Sequence, residues 1–78
     1  MKLTYGQFKK WLDESESINN GNIEHEVEYG SIVIKNLKHR HRMVVRAGDS
    51  FVLMEDKKSV QFTRNSSNTK YSCIYKRT

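Results

Sequence analysis

Residues 23–29, Ile-Glu-His-Glu-Val-Glu-Tyr, form the stretch of sequence that decides the fold, because apolar and aromatic residues alternate in it with glutamates. Successive side chains of a β-strand point to opposite faces, so this period of two predicts a half-buried strand. We expect Ile23, Val27 and Tyr29 to face the core. The opposite, solvated face would carry three carboxylates, which are Glu24, Glu26 and Glu28.

Short strands separated by turn residues are predicted on the C-terminal side of this stretch. The turns Gly30-Ser31, Gly48-Asp49 and Asp56-Lys57-Lys58 contain residue types that tight turns favour. The intervening segments, rich in β-branched and aromatic residues, predict strands over residues 31–37, 43–47, 51–55, 59–64 and 70–76, with a polar loop at 65–68. Because every connection is short, consecutive strands should pair as an antiparallel meander.

On the N-terminal side the hydrophobic period changes, and residues 4–17 are predicted to form an α-helix. Thr4 followed by Gln7 three residues later is a capping box. The helix should end before Asn19-Asn20-Gly21, since asparagine and glycine suit a left-handed cap.

One face of the predicted helix is apolar. Tyr5, Phe8, Trp11 and Leu12 share one side at about 100° per residue, which is the pattern of a core-facing stripe. We expect all four side chains to be buried against the sheet, Phe8 and Leu12 most deeply. Trp11 should stay partly exposed at the margin of the stripe.

These elements predict an α+β domain over residues 1–78, with the N-terminal helix packed on a five- to six-stranded antiparallel β-meander over about residues 22–77. A sheet of this size in so short a chain must twist strongly, and it can curl into a small, partly open barrel. Of the 78 residues 36% are hydrophobic, so the core is thin and leaves little room for a deep active-site cleft.

Several classes of protein are excluded by features that the sequence lacks. The single cysteine, Cys73, cannot form an internal disulfide, and no apolar run has the length of a signal peptide or a membrane span. We therefore expect a cytoplasmic protein without membrane contact. There is no phosphate-binding glycine loop, nucleophile elbow or zinc-protease helix, so we expect neither catalysis nor a cofactor.

The net charge of +5 is distributed unevenly along the chain. Residues 1–30 carry three lysines against six acidic residues, whereas residues 31–78 carry eleven Lys and Arg residues against three acidic ones. The basic part favours an anionic partner such as nucleic acid. The alternative explanation is solubility, because a surface charge of this size is ordinary for a small domain.

The segment Lys38-His39-Arg40-His41-Arg42 concentrates positive charge between two apolar strands. At a hairpin tip its arginines would reach phosphates with bidentate geometry. The alternative is a solvated turn that discourages aggregation through strand edges. His39 and His41 would project to one side of a strand, but a metal site also needs His25 or Cys73 to converge on them. No spacing here matches a zinc pattern, so we expect no metal.

The C-terminal strand interleaves aromatic and basic residues, as do several proteins that stack the bases of single strands on an open sheet. The candidate contacts in this strand are Lys70, Tyr71, Tyr75, Lys76 and Arg77. The alternative is that Tyr71 and Tyr75 pack into the core, because a small domain needs its aromatic residues for burial.

Two functions are compatible with these patterns. The first is a nucleic-acid-binding module that contacts its polyanionic partner through the basic hairpin and the C-terminal strand. The second is a protein-binding inhibitor or regulator, of the kind that phages and other mobile elements encode, which acts through a sheet edge or a charged face.

Overall fold

The structure is a computed structural model that describes residues 1–65 and 70–78. Within them the chain forms one helix and seven strands: β1 (Lys2–Leu3), α1 (Tyr5–Asp13), β2 (Ile23–Glu28), β3 (Ser31–Asn36), β4 (His41–Val44), β5 (Ser50–Leu53), β6 (Ser59–Asn65) and β7 (Lys70–Lys76). In this part of the chain no helix has the length and hydropathy to cross a membrane. The loop predicted at 65–68 lies outside the described residues, apart from Asn65 in β6.

The strands belong to two antiparallel sheets instead of one continuous meander. A four-stranded sheet has the order β1-β5-β6-β7, and a three-stranded sheet has the order β2-β3-β4. The α+β class and the antiparallel pairing expected from the sequence are confirmed, and the described residues form no closed barrel. The chain therefore passes from one sheet to the other between β4 and β5.

The break between the sheets lies just after β4. Val45 is buried in the core, and the backbone N–H of Arg46 donates to Asp49 Oδ2 at 2.9 Å, which closes a tight turn. β5 then pairs with β1 instead of with β4. The sequence does not predict β1, because a two-residue strand is too short to show a period.

Helix α1 begins as predicted and ends earlier. The backbone N–H of Gln7 donates to Thr4 Oγ1 at 3.2 Å, and that of Thr4 donates to Gln7 Oε1 at 2.8 Å, so the capping box is confirmed. The predicted extension to residue 17 is wrong, since the helix ends at Asp13. The Ser15 hydroxyl donates to the carbonyl oxygen of Trp11 at 2.6 Å and satisfies it in place of another helical turn.

The core lies between the two sheets and beneath α1. Phe8 and Leu12 are fully buried, as predicted, and the Phe8 ring stacks on Phe51 with a centroid distance of 4.4 Å. Trp11 is only 7% exposed, which is less than the sequence predicts. The Arg77 guanidinium covers it, 5.7 Å from the centre of the indole ring.

Strand β2 corrects the prediction made from the alternating stretch. Ile23 is buried, but Val27 is 49% exposed and Tyr29 is fully exposed. Val27 lies on an edge strand at the margin of the core, and Tyr29 belongs to the turn, where the period of two no longer applies. Tyr29 and Gly30 have φ angles of 50° and 79°, so the hairpin turn is Tyr29-Gly30 and not Gly30-Ser31.

The glutamates of β2 point away from the core, as predicted. Glu26 pairs with Lys35 at 2.6 Å, and Glu28 pairs with Arg42. Val33, directly opposite Glu26 in register, is buried although it lies outside the main core cluster. The aliphatic parts of long charged side chains can cover apolar surface, so we attribute the burial of Val33 to the ion-paired side chains on the outer face of the three-stranded sheet.

Candidate nucleic-acid interface

The predicted basic segment lies at the tip of the β3–β4 hairpin. Lys38, His39 and Arg40 belong to the turn, and His41 and Arg42 are the first two residues of β4. All five side chains are exposed. Arg40 has a φ angle of 52°, in the left-handed region, which completes the reversal of the chain between the two strands.

The cations around this hairpin differ in how they are paired. Arg42 is held by Glu28 on the outer face of the three-stranded sheet. Lys38, Arg40 and Arg46 form no ion pair with a carboxylate of residues 1–65 and 70–78. Lys38 and Arg40 are therefore available to an external anion, whereas the charge of Arg46 also acts on the nearby Asp49 carboxylate.

Arg64 of β6 joins the two sheets. Its guanidinium binds Asp49 through Nε–Oδ1 and Nη2–Oδ2 distances of 3.0 and 2.7 Å, and it also donates to the carbonyl oxygen of Val44 at 2.7 Å. The Asp49 side chain is 5% exposed. Burial alone would raise the pKa of Asp49, but the hydrogen bonds from Arg64 and from the Arg46 backbone outweigh it and hold that pKa below its ordinary value.

The two candidate tyrosines of β7 occupy different environments. Tyr71 is 41% exposed, whereas Tyr75 is 5% exposed and packs among the core aromatics. Burial raises the pKa of the Tyr75 phenol. Tyr75 therefore packs into the core, as the alternative in the sequence analysis expects, and its ring cannot stack on a base. The Tyr71 ring is accessible.

The hairpin and the C-terminal strand meet in a surface depression of about 420 Å³, which we call the basic hollow. Its lining residues are His41, Arg42, Met43, Val44, Arg46, Arg64 and Tyr71. The Tyr71 ring stands edge-on to Phe62 with a centroid distance of 6.1 Å, which fixes its orientation. The basic hollow therefore brings one tyrosine of β7 together with the cations around β4.

Lys76 and Arg77 lie in a separate place, which we call the C-terminal cleft. This cleft of about 580 Å³ is lined by Asn19, Asn20, Asn22, Lys58, Lys76, Arg77 and Thr78. A crevice of about 90 Å³ lies between the two, because it shares Asn19 with the cleft and His41 and Tyr71 with the hollow. We call these three neighbouring depressions the seam. Lys70 is exposed at the start of β7.

Among the residues in and around the basic hollow, the sequence prediction misses Arg46, Arg64 and Tyr29. Arg46 could be found by extending the alternation Arg42, Val44, Arg46, which places both arginines on one face. Arg64 reaches the hollow only through the packing of β6 against β4, which no local pattern reveals. Tyr29, assigned to the core by the alternation, lines a further hollow of about 470 Å³ with Glu28 and Arg42.

The histidines show no arrangement for metal binding in the described part of the chain, where no three His, Cys, Asp or Glu side chains lie close enough to hold an ion. His25 Nε2 is instead 2.9 Å from Asp13 Oδ1, which ties β2 to the end of α1. No protein-family model, curated protein or solved structure matches this chain. The chemistry that the seam offers is electrostatic attraction, hydrogen bonding and aromatic stacking.

Proposed function

We propose that this protein is a small, cytoplasmic, non-enzymatic module that binds nucleic acid through the tip of the β3–β4 hairpin and the adjoining seam. The observation that carries the proposal is the position of Lys38, Arg40 and Arg46, which are exposed on and just after the β3–β4 hairpin and form no ion pair within the described residues. An arginine guanidinium presents a planar fork of donors that matches a phosphate group. These side chains would supply the phosphate contacts.

The distribution of acidic residues supports this assignment. Glu26, Glu28 and Asp49 are each engaged by a cation of the protein itself. Glu26 and Glu28 therefore neutralise cations other than those at the hairpin tip. Asp49 is bound mainly by Arg64 and only partly offsets the charge of Arg46. Lys58 adds positive charge at the other end of the seam, in the C-terminal cleft.

The test is a titration of the protein with short DNA and RNA at several salt concentrations. Binding should weaken steeply with salt, because neutralised phosphates release condensed counterions. The double variant Arg40→Ala/Arg46→Ala should weaken binding to all sequences about equally. It should also lower the slope of log affinity against log salt by about 1.8 on a duplex or about 1.4 on a single strand, since two phosphate contacts are lost.

A matched control removes the same charge elsewhere. Lys2 and Lys10 are exposed and line neither the basic hollow nor the C-terminal cleft. The variant Lys2→Ala/Lys10→Ala has the same net charge as the test variant but should keep the wild-type slope. Equal effects of the two variants would show that only net charge matters. Absence of binding at low salt would reject the proposal.

The alternative function is that of a protein-binding inhibitor or regulator, of the type that phages and mobile elements use. The supporting observation is β7, a seven-residue strand at the edge of its sheet, in which Ile74 is about half exposed. Asn19 covers this edge at Lys76, so the open part is residues 70–74, which can accept an extended segment of a partner. This function would predict a partner whose binding survives nuclease treatment and is lost in an Ile74→Lys variant.

A further inference from the structure

Tyr29 is unusual both in its backbone conformation and in its exposure to solvent. It is fully exposed, and its φ angle of 50° places it in the left-handed region at the first position of a two-residue turn. That position favours asparagine, aspartate or glycine, because a larger side chain is disfavoured there. Neither core packing nor turn geometry accounts for a tyrosine at this position, so its ring is available for another role.

The surroundings of Tyr29 connect it to the candidate interface. Arg42 lines the hollow next to Tyr29 and also the basic hollow that contains Tyr71. Each of the two exposed tyrosines therefore lines a hollow that Arg42 also lines. Glu28 holds the Arg42 guanidinium in place, and Arg46, which forms no ion pair within the described residues, lines the hollow that contains Tyr71.

We propose that the protein prefers single-stranded nucleic acid and stacks one base on Tyr29 and another on Tyr71, with the connecting backbone passing the Glu28–Arg42 pair and contacting Arg46. This inference rests on the proposed function and specifies its ligand. Bases in a duplex are stacked on one another and offer no free face to a side chain, whereas those of a single strand do. Stacking on an aromatic ring is also tolerant of sequence, because every base has a π-face.

The test compares binding of oligo-dT and oligo-rU of about 15 nucleotides, within the usual range of site sizes, with binding of a DNA duplex of equal length. Tyr29→Asn and Tyr71→Ala should each weaken single-strand binding about 5- to 100-fold and leave duplex binding unchanged. Tyr29→Phe and Tyr71→Phe keep the ring and should bind like the wild type. Tighter binding of either oligonucleotide than of duplex supports the proposal. Comparison of oligo-rU with oligo-dU, which differs from it only in the sugar, identifies the preferred sugar.

Tyr29→Asn also separates loss of binding from loss of folding. Asparagine suits the left-handed turn better than tyrosine, so the thermal midpoint should stay the same or rise while binding weakens. If single strands and duplex bind equally and Tyr29→Asn has no effect, this inference is overturned while the proposed function stands. An effect of only one of the two tyrosines overturns the two-base arrangement. If no nucleic acid binds at low salt, the proposed function itself fails.

Discussion

Replacing Arg64 with methionine tests the contact that joins the two sheets. The substitution removes the bidentate ion pair to Asp49 and the hydrogen bond to the Val44 carbonyl, which are made at 2.7–3.0 Å. The Asp49 carboxylate then stays almost fully buried, with only the backbone N–H of Arg46 as a hydrogen-bond donor. Removing one member of a buried pair costs about 3–5 kcal/mol, and we expect the lower end because the Arg64 side chain is 22% exposed.

The assay is chemical denaturation at neutral pH, with Lys35→Met as the matched control. Lys35 also pairs with a glutamate, but both side chains are substantially exposed, so its loss should cost less than about 1 kcal/mol. Asp49→Asn/Arg64→Met should recover part of the loss, because no unpaired charge remains. A cost below about 1 kcal/mol for Arg64→Met would refute the conclusion that this pair holds the sheets together.

The same ion pair predicts a pH dependence with a defined sign. The pKa of Asp49 is held below its ordinary value in the folded protein, so its contribution is fully present above the unfolded pKa, near 3.9. It is lost as the pH falls through the lower pKa of the folded state. Without Arg64 the carboxyl loses the hydrogen bond and the charge that oppose burial, so the folded-state pKa of Asp49 is higher in Arg64→Met than in the wild type. The stability difference between the two proteins should therefore be constant at neutral pH, shrink as the pH falls through the folded-state pKa of the variant, and reach its minimum below that of the wild type. A difference that persists in acid would contradict this origin.

Two further predictions concern packing. Phe8→Ala should cost about 3–5 kcal/mol, because the ring is fully buried against Phe51, and an unchanged denaturation midpoint would show that α1 is not docked. Val27→Glu should change stability by less than about 1 kcal/mol, since the side chain is half exposed, whereas Ile34→Glu should unfold the protein by burying a charge. Circular dichroism distinguishes these outcomes, and equal loss of structure in both variants would contradict the observed β2 orientation.

The parts of the fold that the sequence predicts are those governed by short-range rules. The Thr4 cap and strands β3, β6 and β7 depend on neighbouring side chains and turn residues, and the predicted bounds lie within one residue of the observed ones. The strand predicted over residues 43–47 is wrong in its bounds, because β4 spans His41–Val44 and begins inside the basic segment. The division into two sheets depends on Arg64 meeting Asp49 and on β1 meeting β5, contacts between residues far apart in sequence. The hydrophobic periodicity of neighbouring residues does not reveal such contacts.

The candidate interface shows the same division between local and long-range information. The five consecutive basic residues Lys38–Arg42 are sufficient to predict a basic hairpin. The alternation Arg42, Val44, Arg46 adds Arg46 to the predicted basic surface. Alternation alone does not tell where the core ends, so Tyr29 was assigned to the interior although it lies in a turn. Likewise, only packing distinguishes exposed Tyr71 from buried Tyr75 on the same strand.

The most direct test of nucleic-acid binding along the seam is a titration of the ¹⁵N-labelled protein with oligo-dT at low salt, followed by amide chemical shifts. We expect the largest changes at Tyr29, Arg40, Arg46 and Tyr71, which line or adjoin the seam, and no change at Lys10 on the exposed face of α1. All changes should disappear as salt is raised. A spectrum that does not change, or changes confined to α1, would contradict the account.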